Sequence, residues 1–385
     1  MMKLLVANDN GNSEQDLVIN GQMVQQPNVF ARIAHLPNLE EVNKEYVLKN
    51  LHANLIVAIE GGLYYVGDYA LKSGQPCRTI EVGSDNNKGE SPIVYINTLA
   101  HVAAAAVQQA VEDKADLAET IQASVDMATA LPVSYYSKKG AASFAEKFTS
   151  KKHHVTVHVG DQEVQVELTF EYVKVIPEGV TASFALHEHE ELFKEYNAKH
   201  KGAEIHKADF DEARVLHVAI GEGTTEFPVT KKYSFKPDFI SGTNNGNGHA
   251  IDAVIDDFKK EYGLIKLTRQ EYSEILKDHS HKYYATAAEF VAPALEIQAE
   301  EILHKAKQVI QQANNEIDIV CVYGGGSILM RKALEKRLVE FCDRAKIKLL
   351  YVPDQYAVTL EARGLDVFLH SKLFAAVKQN YLDKQ

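Results

Sequence analysis

One pattern constrains this chain more than any other: an apolar strand that breaks into a glycine-containing acidic turn and resumes as a strand occurs twice, about 210 residues apart. The first copy is LLVA running into DNGNS, Asp9 to Ser13, and its strand is expected to stop at that pentapeptide. The second is VLHVAIGEGTTEFPV, with its turn at Gly221 to Glu226. Repeated grammar of this kind predicts two α/β domains of related design that face each other. With 385 residues the chain is long enough for both, at the usual size of about 100–200 residues each.

The residue types in these turns suit one chemistry. A nucleoside triphosphate with its magnesium ion presents about four negative charges, which a protein meets with backbone N–H groups in a tight turn and a carboxylate that holds hydrated metal. In the first turn Gly11 permits close approach, Asp9 can take Mg2+ through its waters, and Asn10, Asn12 and Ser13 offer neutral donors. In the second, Gly221 and Gly223 play the glycine part, Thr224 and Thr225 are donors, and Glu222 is an acid that could hold metal or orient water. A third stretch, Gly324-Gly325-Gly326-Ser327, follows the apolar run IDIVCVY and opens a helical pattern. Each glycine there costs stability, so a triplet suits a flat ligand passing close to the backbone. Taken singly, DNG is also a common hairpin turn and GEGTTE an ordinary β-turn; the three together are far more specific.

Between the loops the chain alternates strands and helices. GLYYVGDYAL, SVDMATALPV and the pair VTVHV and VQVELTFEYVKVI read as strands, the last two as a hairpin about Gly160 and Asp161. Ile96, Leu99, Ala103, Ala106, Val107 and Ala110 recur at helical spacing and predict a long buried helix from Ile93 to Val111. Further helical patterns run from Ala250 to Tyr262, from Ala285 to Asn314 and from Thr359 onward. The helix after GTNNGNG, with Asp252, Asp256 and Lys259 on a related face, is expected to supply a base pocket, although such charges also form solvated faces. His154, His158, Asp161 and Glu163 lack compact metal-ligand spacing and are expected to be solvent-facing hairpin residues.

Charge and cysteine usage narrow the partners. A net charge of −12 opposes a DNA-coating surface, because phosphate binding rests on clustered Lys and Arg that release counterions. Any contact with DNA is therefore expected to be indirect. Cys77, Cys321 and Cys342 form no CxxC pair and no disulfide framework, Cys321 and Cys342 fall in core patterns, and no leader-like or membrane-length apolar run is visible. A reduced, cytoplasmic protein with no membrane partner is the expectation.

The order and spacing of the three loops resemble the actin, Hsp70 and hexokinase superfamily, in which a first phosphate loop, a connecting segment, a second phosphate loop and an adenosine loop follow one another. Asp9-Asn10-Gly11 matches the first loop, Gly221 to Thr225 the second, and Gly324 to Ser327 the third. Narrower marks resemble the plasmid-segregation actins of the ParM type: YYVGDYAL at Tyr64 to Leu71, ALPVSYY at Ala130 to Tyr136, VIPEG at Val175 to Gly179, and EARG at Glu361 to Gly364. The chain departs from the family at Ala219, where an aspartate is usual, and at Ser134 to Tyr136, where an acidic or amide residue often positions water. Glu222 stands where actin has its second-loop aspartate.

The resemblance implies an actin-like fold of class α/β, with two related domains built on RNase H-like cores flanking a nucleotide cleft. Residues 1–213, with an inserted small subdomain and completed by a C-terminal helix 357–385, would form the first domain, and 214–356 the second. It implies ATP or GTP with Mg2+ as ligands, hydrolysis helped by Glu222 and Ser134, and a homopolymeric filament that reaches plasmid DNA through a small centromere-binding adaptor protein. Two rival readings share the fold: a chromosomal cytoskeletal actin, which often carries a membrane-binding segment not visible here, and a small-molecule kinase, which needs an acceptor pocket with a catalytic aspartate.

Overall fold

Apolar runs that lie between two parallel neighbours are buried on both faces, so they read as continuous rather than alternating hydrophobic segments. IVCVY does so in the computed structural model, which describes residues 1–39, 42–80, 88–133, 136–235, 241–243 and 246–383. The chain opens with β1 (Met2–Asn10), β2 (Glu14–Ile19), β3 (Gln22–Pro27) and β4 (Phe30–Ile33). α1 (Lys44–Lys49), β5 (Ile56–Ile59), β6 (Gly62–Val66) and α2 (Asp68–Lys72) follow. A 3-10 turn at Lys88–Glu90 precedes the long α3 (Pro92–Glu112), then β7 (Ile121–Leu131), α4 (Lys138–Thr149), β8 (His153–Val159) and β9 (Gln162–Pro177). Two connecting helices, α5 (Ala182–Leu186) and α6 (Glu190–Lys199), lead into β10 (Arg214–Ile220), β11 (Thr225–Glu226), β12 (Val229–Lys231), β13 (Ser234–Phe235) and β14 (Gly242–Thr243). Next come α7 (Asn247–Asp252), α8 (Ile255–Glu261), α9 (Arg269–Lys277) and α10 (Tyr284–Gln312). The chain ends with β15 (Ile319–Tyr323), α11 (Gly325–Ala345), β16 (Lys348–Tyr351), α12 (Asp354–Ala357), α13 (Leu360–Leu369) and α14 (Lys372–Leu382).

Two sheets result, in an actin-like arrangement. Nine strands in the order β3-β2-β1-β7-β9-β8-β5-β6-β4 make the first, with β7 parallel to both β1 and β9. The second joins β10 to β15 and β15 to β16 in parallel, with the short strands β11 to β14 added antiparallel beyond β10. α3 lies on the first sheet, and its Ala100, Ala103, Ala104, Val107 and Leu99 are fully buried. Small side chains let helix and sheet approach closely, and each larger buried residue such as Leu99 contributes roughly 1.5–3 kcal/mol. α10 and α11 cover the second sheet through Val291, Ile302, Val309, Met330, Leu334 and Leu338.

Where the two halves join, glycine is required. Gly179 has φ +80, and a Cβ there would meet Pro228 Cγ at 2.4 Å. A Cβ on Gly364 would meet the Thr181 carbonyl oxygen at 2.0 Å, so α13 can cross this connection only with hydrogen at that position. The motifs VIPEG and EARG therefore mark one joint.

Several local expectations change. β1 does not stop at DNGNS but continues through Asn10, because Asp9 and Asn10 pair with Asp16 and Gln15 of β2. The Ala250 to Tyr262 helix breaks into α7 and α8, and the C-terminal one into α13 and α14, capped anew by the Ser371 hydroxyl. Gly160 and Asp161 do form the hairpin turn, but only part of its predicted solvent face is exposed: His154 is open, whereas His158 is buried. Cys321 and Cys342 are buried, as expected. Among the described residues no helix is long and apolar enough to cross a membrane.

Candidate functional site

A cleft of about 990 Å³ opens between the two sheets, with all three glycine loops on its wall. A space of that size suits a bound small molecule. The loops present backbone N–H groups to it for a reason visible in their carbonyls. In a trans peptide the C=O of one residue and the N–H of the next point in opposite directions. In the second loop the carbonyls of Gly221, Glu222 and Gly223 accept from Asn247, Gly248 and Gly246 at 3.2, 2.8 and 3.3 Å, all at the N-terminus of α7. The N–H groups of Glu222, Gly223 and Thr224 are thereby turned away from α7, and they have no partner among the described residues. The first loop works alike: Gly11 O accepts from Asn28 Nδ2 at 2.8 Å, and Ser13 O from Asn28 N at 2.8 Å. The N–H groups of Asn12 and Glu14 face the other way.

The helix behind the second loop must come very close. A Cβ on Gly246 would lie 2.2 Å from Glu222 O, and one on Gly248 2.8 Å from Glu222 O and Cγ. That is the physical content of GTNNGNG. The third loop is built on the second: Gly324, at φ +92, would place a Cβ 2.4 Å from Ile220 O, and Gly326 one 2.6 Å from Ile220 Cγ2. Gly325 differs, because a Cβ there meets nothing within 4 Å; it faces the open cleft.

Three carboxylates and one ammonium share the floor. Lys88 Nζ is 2.7 Å from Glu178 Oε1, and both side chains are largely buried. Burial pulls the Lys88 pKa down, but Glu178, Asp9 and Glu226 outweigh it and the pKa is raised. Burial, and then Glu178, push Asp9 up from the usual 3.8 to about 7, against the pull of Lys88. Glu361 accepts from Gly179 N at 2.8 and 3.0 Å and from the Thr181 hydroxyl, yet burial, Asp9 and Glu178 raise it to about 8. Asp16 is raised as well, by burial and then by Glu14 and Asp9. This concentration of oxygen ligands, short of positive charge, fits a hard cation. Among the described residues no three His, Cys, Asp or Glu converge to enclose one, and the carboxylate of Asp9 is the kind of oxygen donor that can hold Mg2+ through its waters.

The structure sorts the residues expected from sequence. Asp9, Gly11, Asn12, Ser13, Gly221, Glu222, Gly223, Thr224, Gly324, Gly325 and Gly326 line the cleft. Asn10 does not, because strand alternation puts it on the face opposite Asp9, where it is buried. Thr225 is buried in β11 opposite Ile220 and Thr243. Ser327 closes the third loop by donating its hydroxyl to Gly324 O at 2.7 Å. Asp252 and Lys259 do not form a base pocket: Asp252 pairs with Arg269 Nη1 at 3.0 Å, and Lys259 pairs with Asp256 at 2.7 Å beside a separate shallow groove. Glu222 is nearly buried, with Oε1 3.2 Å from Arg269 Nε. Ser134 lies outside the described residues.

Sequence reasoning missed Lys88, Glu178 and Glu361 as cleft residues, although Glu178 and Glu361 sat inside the motifs VIPEG and EARG. It also missed the wall formed by Ser273, Leu276, Lys277 and Tyr284 of α9 and α10 with Leu329 and Lys332 of α11. No motif announces that wall, since it is assembled from helix faces.

Comparison with known proteins agrees with this architecture. A family model described as actin like proteins N terminal domain matches residues 7–180, and one described as archaeal actin homologue MreB-like, C-terminal, matches residues 217–336. No curated protein sequence matches at a significant level. The crystal structure of the actin-like protein Alp7A superposes with a TM-score of 0.71 at 17% identity, covering 100% of this chain and 99% of that one. The archaeal actin homolog Ta0583 in complex with ADP gives 0.63 at 16%, covering 96% of this chain and 100% of that one. Bacillus thuringiensis ParM with ATP gives 0.61 at 15%, covering 98% and 100%. These identities speak to the fold, and the two family matches agree with it: an actin-like fold whose residues 7–180 match an actin-like N-terminal domain and whose residues 217–336 match the C-terminal domain of an actin homologue.

Proposed function

We propose that this protein binds ATP or GTP with Mg2+ in the cleft, hydrolyses it, and couples hydrolysis to the assembly and disassembly of a homopolymeric filament. The observation that carries the reading is the orientation of the two loops. Carbonyls tied back to Asn28 and to α7 leave N–H groups of both halves aimed into one cleft, which suits a chain of phosphates bridging them. Solved structures of similar fold include Ta0583 in complex with ADP and ParM with ATP.

Mg2+, when bound, would neutralise developing phosphate charge. Asp9 would hold its water shell, Gly11 to Ser13 and Glu222 to Thr224 would cradle phosphates, and Gly325 would leave room for base or ribose. Arg269 engages Glu222 Oε1 and leaves Oε2 for the attacking water. Ser134 is the second candidate for that task. In this reading residues 1–213 with 357–385, and 214–356, are two domains that close on the nucleotide. The acidic surface suits a filament that reaches plasmid DNA through a small centromere-binding adaptor in the cytoplasm.

The test is light scattering with phosphate release in ATP, in GTP and without nucleotide. Scattering that rises only with a triphosphate and decays as phosphate appears supports the proposal. Nucleotide-independent scattering with no phosphate release would overturn it.

A further inference from the structure

We infer that Asn28 and Asn97 form a positioning pair that sets the first loop and ties it to the long helix α3; the inference rests on reading the cleft as a nucleotide site. Asn28 has no place in any motif. It sits between β3 and β4, where the chain leaves the first hairpin and crosses to the far edge of the nine-stranded sheet. It is fully buried, and so is Asn97 of α3.

All three hydrogen-bonding groups of Asn28 that carry the argument are committed. Its backbone N–H donates to Ser13 O and its side-chain amide to Gly11 O, each at 2.8 Å, so one residue grips the loop on both sides of Asn12. Its Oδ1 accepts from Asn97 Nδ2 at 2.9 Å, and Asn97 Nδ2 also reaches Val29 O at 3.2 Å. Asn97 thereby fixes which way the Asn28 amide faces, with nitrogen toward the loop. The next residue of α3, Thr98, continues the polar layer: its Oγ1 accepts from Asn8 Nδ2 at 2.9 Å, and Gln15 Nε2 donates to Asn8 Oδ1 at 2.9 Å. Burying so many amides is costly, the more so because Gln15 Oε1 and Asn97 Oδ1 find no partner among the described residues, and that is a high cost to maintain behind a loop with no task.

The two loops thus differ in what backs them. The second is held by backbone N–H groups at the start of α7, which follows it after four short strands. The first is held by a residue that answers to α3, the helix that begins just after Lys88 and the segment leading to it. A change in the seating of α3 therefore turns the Gly11 and Ser13 peptides, and with them the donors offered to phosphate. Asn28 and Asn97 touch no ligand; they act through the loop.

The experiment is titration of the purified full chain with fluorescent methylanthraniloyl ATP and GTP, reading both the dissociation constant and the number of sites. Asn28→Asp keeps the shape and the bond from Asn97 but replaces the donor facing Gly11 O with an acceptor. Asn97→Ala leaves both bonds from Asn28 to the loop in place and removes the donor to Asn28 Oδ1 and Val29 O. We expect one site per chain in both variants, with affinity about tenfold or more weaker for Asn28→Asp and several-fold weaker for Asn97→Ala. A merely structural role would instead lower the number of sites at unchanged affinity, and that result, or no change at all, overturns the inference. If Asn28→Asp cannot be purified folded, unchanged affinity in Asn97→Ala is sufficient to reject it. A wild-type chain that binds neither nucleotide defeats the proposed function itself, and is recognised before any variant is compared.

Discussion

Lys277 of α9 meets Glu14 of β2 across the mouth of the cleft, Nζ to Oε2 at 3.3 Å. Lys277 also pairs with Glu274 on its own helix, and Arg269 at the start of that helix donates to Ile80 O on the facing side. α9 is therefore the element that touches both walls. The pair is partly exposed, so it is worth at most about 1 kcal/mol, but a contact that bridges the two walls opposes opening of the cleft and so acts on ligand release. Lys277→Glu should speed nucleotide dissociation a few-fold, and Glu14→Lys with Lys277→Glu should restore much of it. Stopped-flow displacement measures this, and equal rates in the single and double variants would exclude the contact.

The glycines separate into two kinds, and their variants should fail differently. Gly246→Ala pushes a methyl into Glu222 O and must displace the second loop, so it should lower the melting temperature of the ligand-free protein and abolish nucleotide binding. Gly325→Val adds bulk into open cleft at the first turn of α11. It should leave ligand-free stability within about 0.5 kcal/mol and still block the nucleotide. Thermal melts and fluorescent-nucleotide titration distinguish the two; a destabilised Gly325→Val or a nucleotide-competent Gly246→Ala would contradict the geometry.

The three glycine loops were legible because strand-to-turn breaks and glycine carry strong local signals. What backs them was not. Asn28 contacts Gly11 and Ser13 across a complete hairpin, and nothing local distinguishes it from any other asparagine. GTNNGNG reads as a turn, but its Gly246 and Gly248 answer to Glu222, more than twenty residues earlier, so the local pattern points the adjoining helix at the base instead of at the second loop. An unbroken helix would put Asp252 and Lys259 on one face; the interruption between α7 and α8 gives them different partners. Glu178 and Glu361 lie 183 residues apart in sequence and act together only because the connection after β9 meets α13 at the joint.

The carboxylates on the cleft floor make stability depend on pH in a definite direction. Asp9 and Glu361 titrate near 7 and 8 in the folded chain instead of at 3.8 and 4.5, so the folded state holds protons that the unfolded chain has lost. Their contribution therefore falls as pH rises from about 4 to 8. His52, lowered by burial to about 4, works oppositely, since unfolding takes up its proton only below about 6.5. Between pH 6.5 and 8 the carboxylates act alone, and the melting temperature of the ligand-free protein should fall, by an amount on the order of 1 kcal/mol in stability. Glu361→Gln should flatten that fall, because it removes one acid and relieves Asp9. A melting temperature that rises across this window, or an unchanged slope in the variant, would refute the account.

In the proposed mechanism Glu222 is the second-loop acid that orients the attacking water, and Arg269 holds it by one oxygen. If the other oxygen orients water, Glu222→Gln keeps the shape and the contact to Arg269 but loses the charge that aligns the water and accepts its proton. Removing such a group typically costs about 10²-fold or more in rate. Binding should suffer far less, since the N–H groups of Gly223 and Thr224 remain fixed by α7 regardless of the side chain. Stability should drop only modestly, because Arg269 retains Asp252 at 3.0 Å. Filaments should then still form with nucleotide but persist, because hydrolysis no longer triggers their disassembly. Phosphate release and light scattering recorded on the same sample measure both halves of this expectation. Filaments that fall apart at the wild-type rate would place the water elsewhere, with Ser134 to Tyr136 as the next segment to mutate.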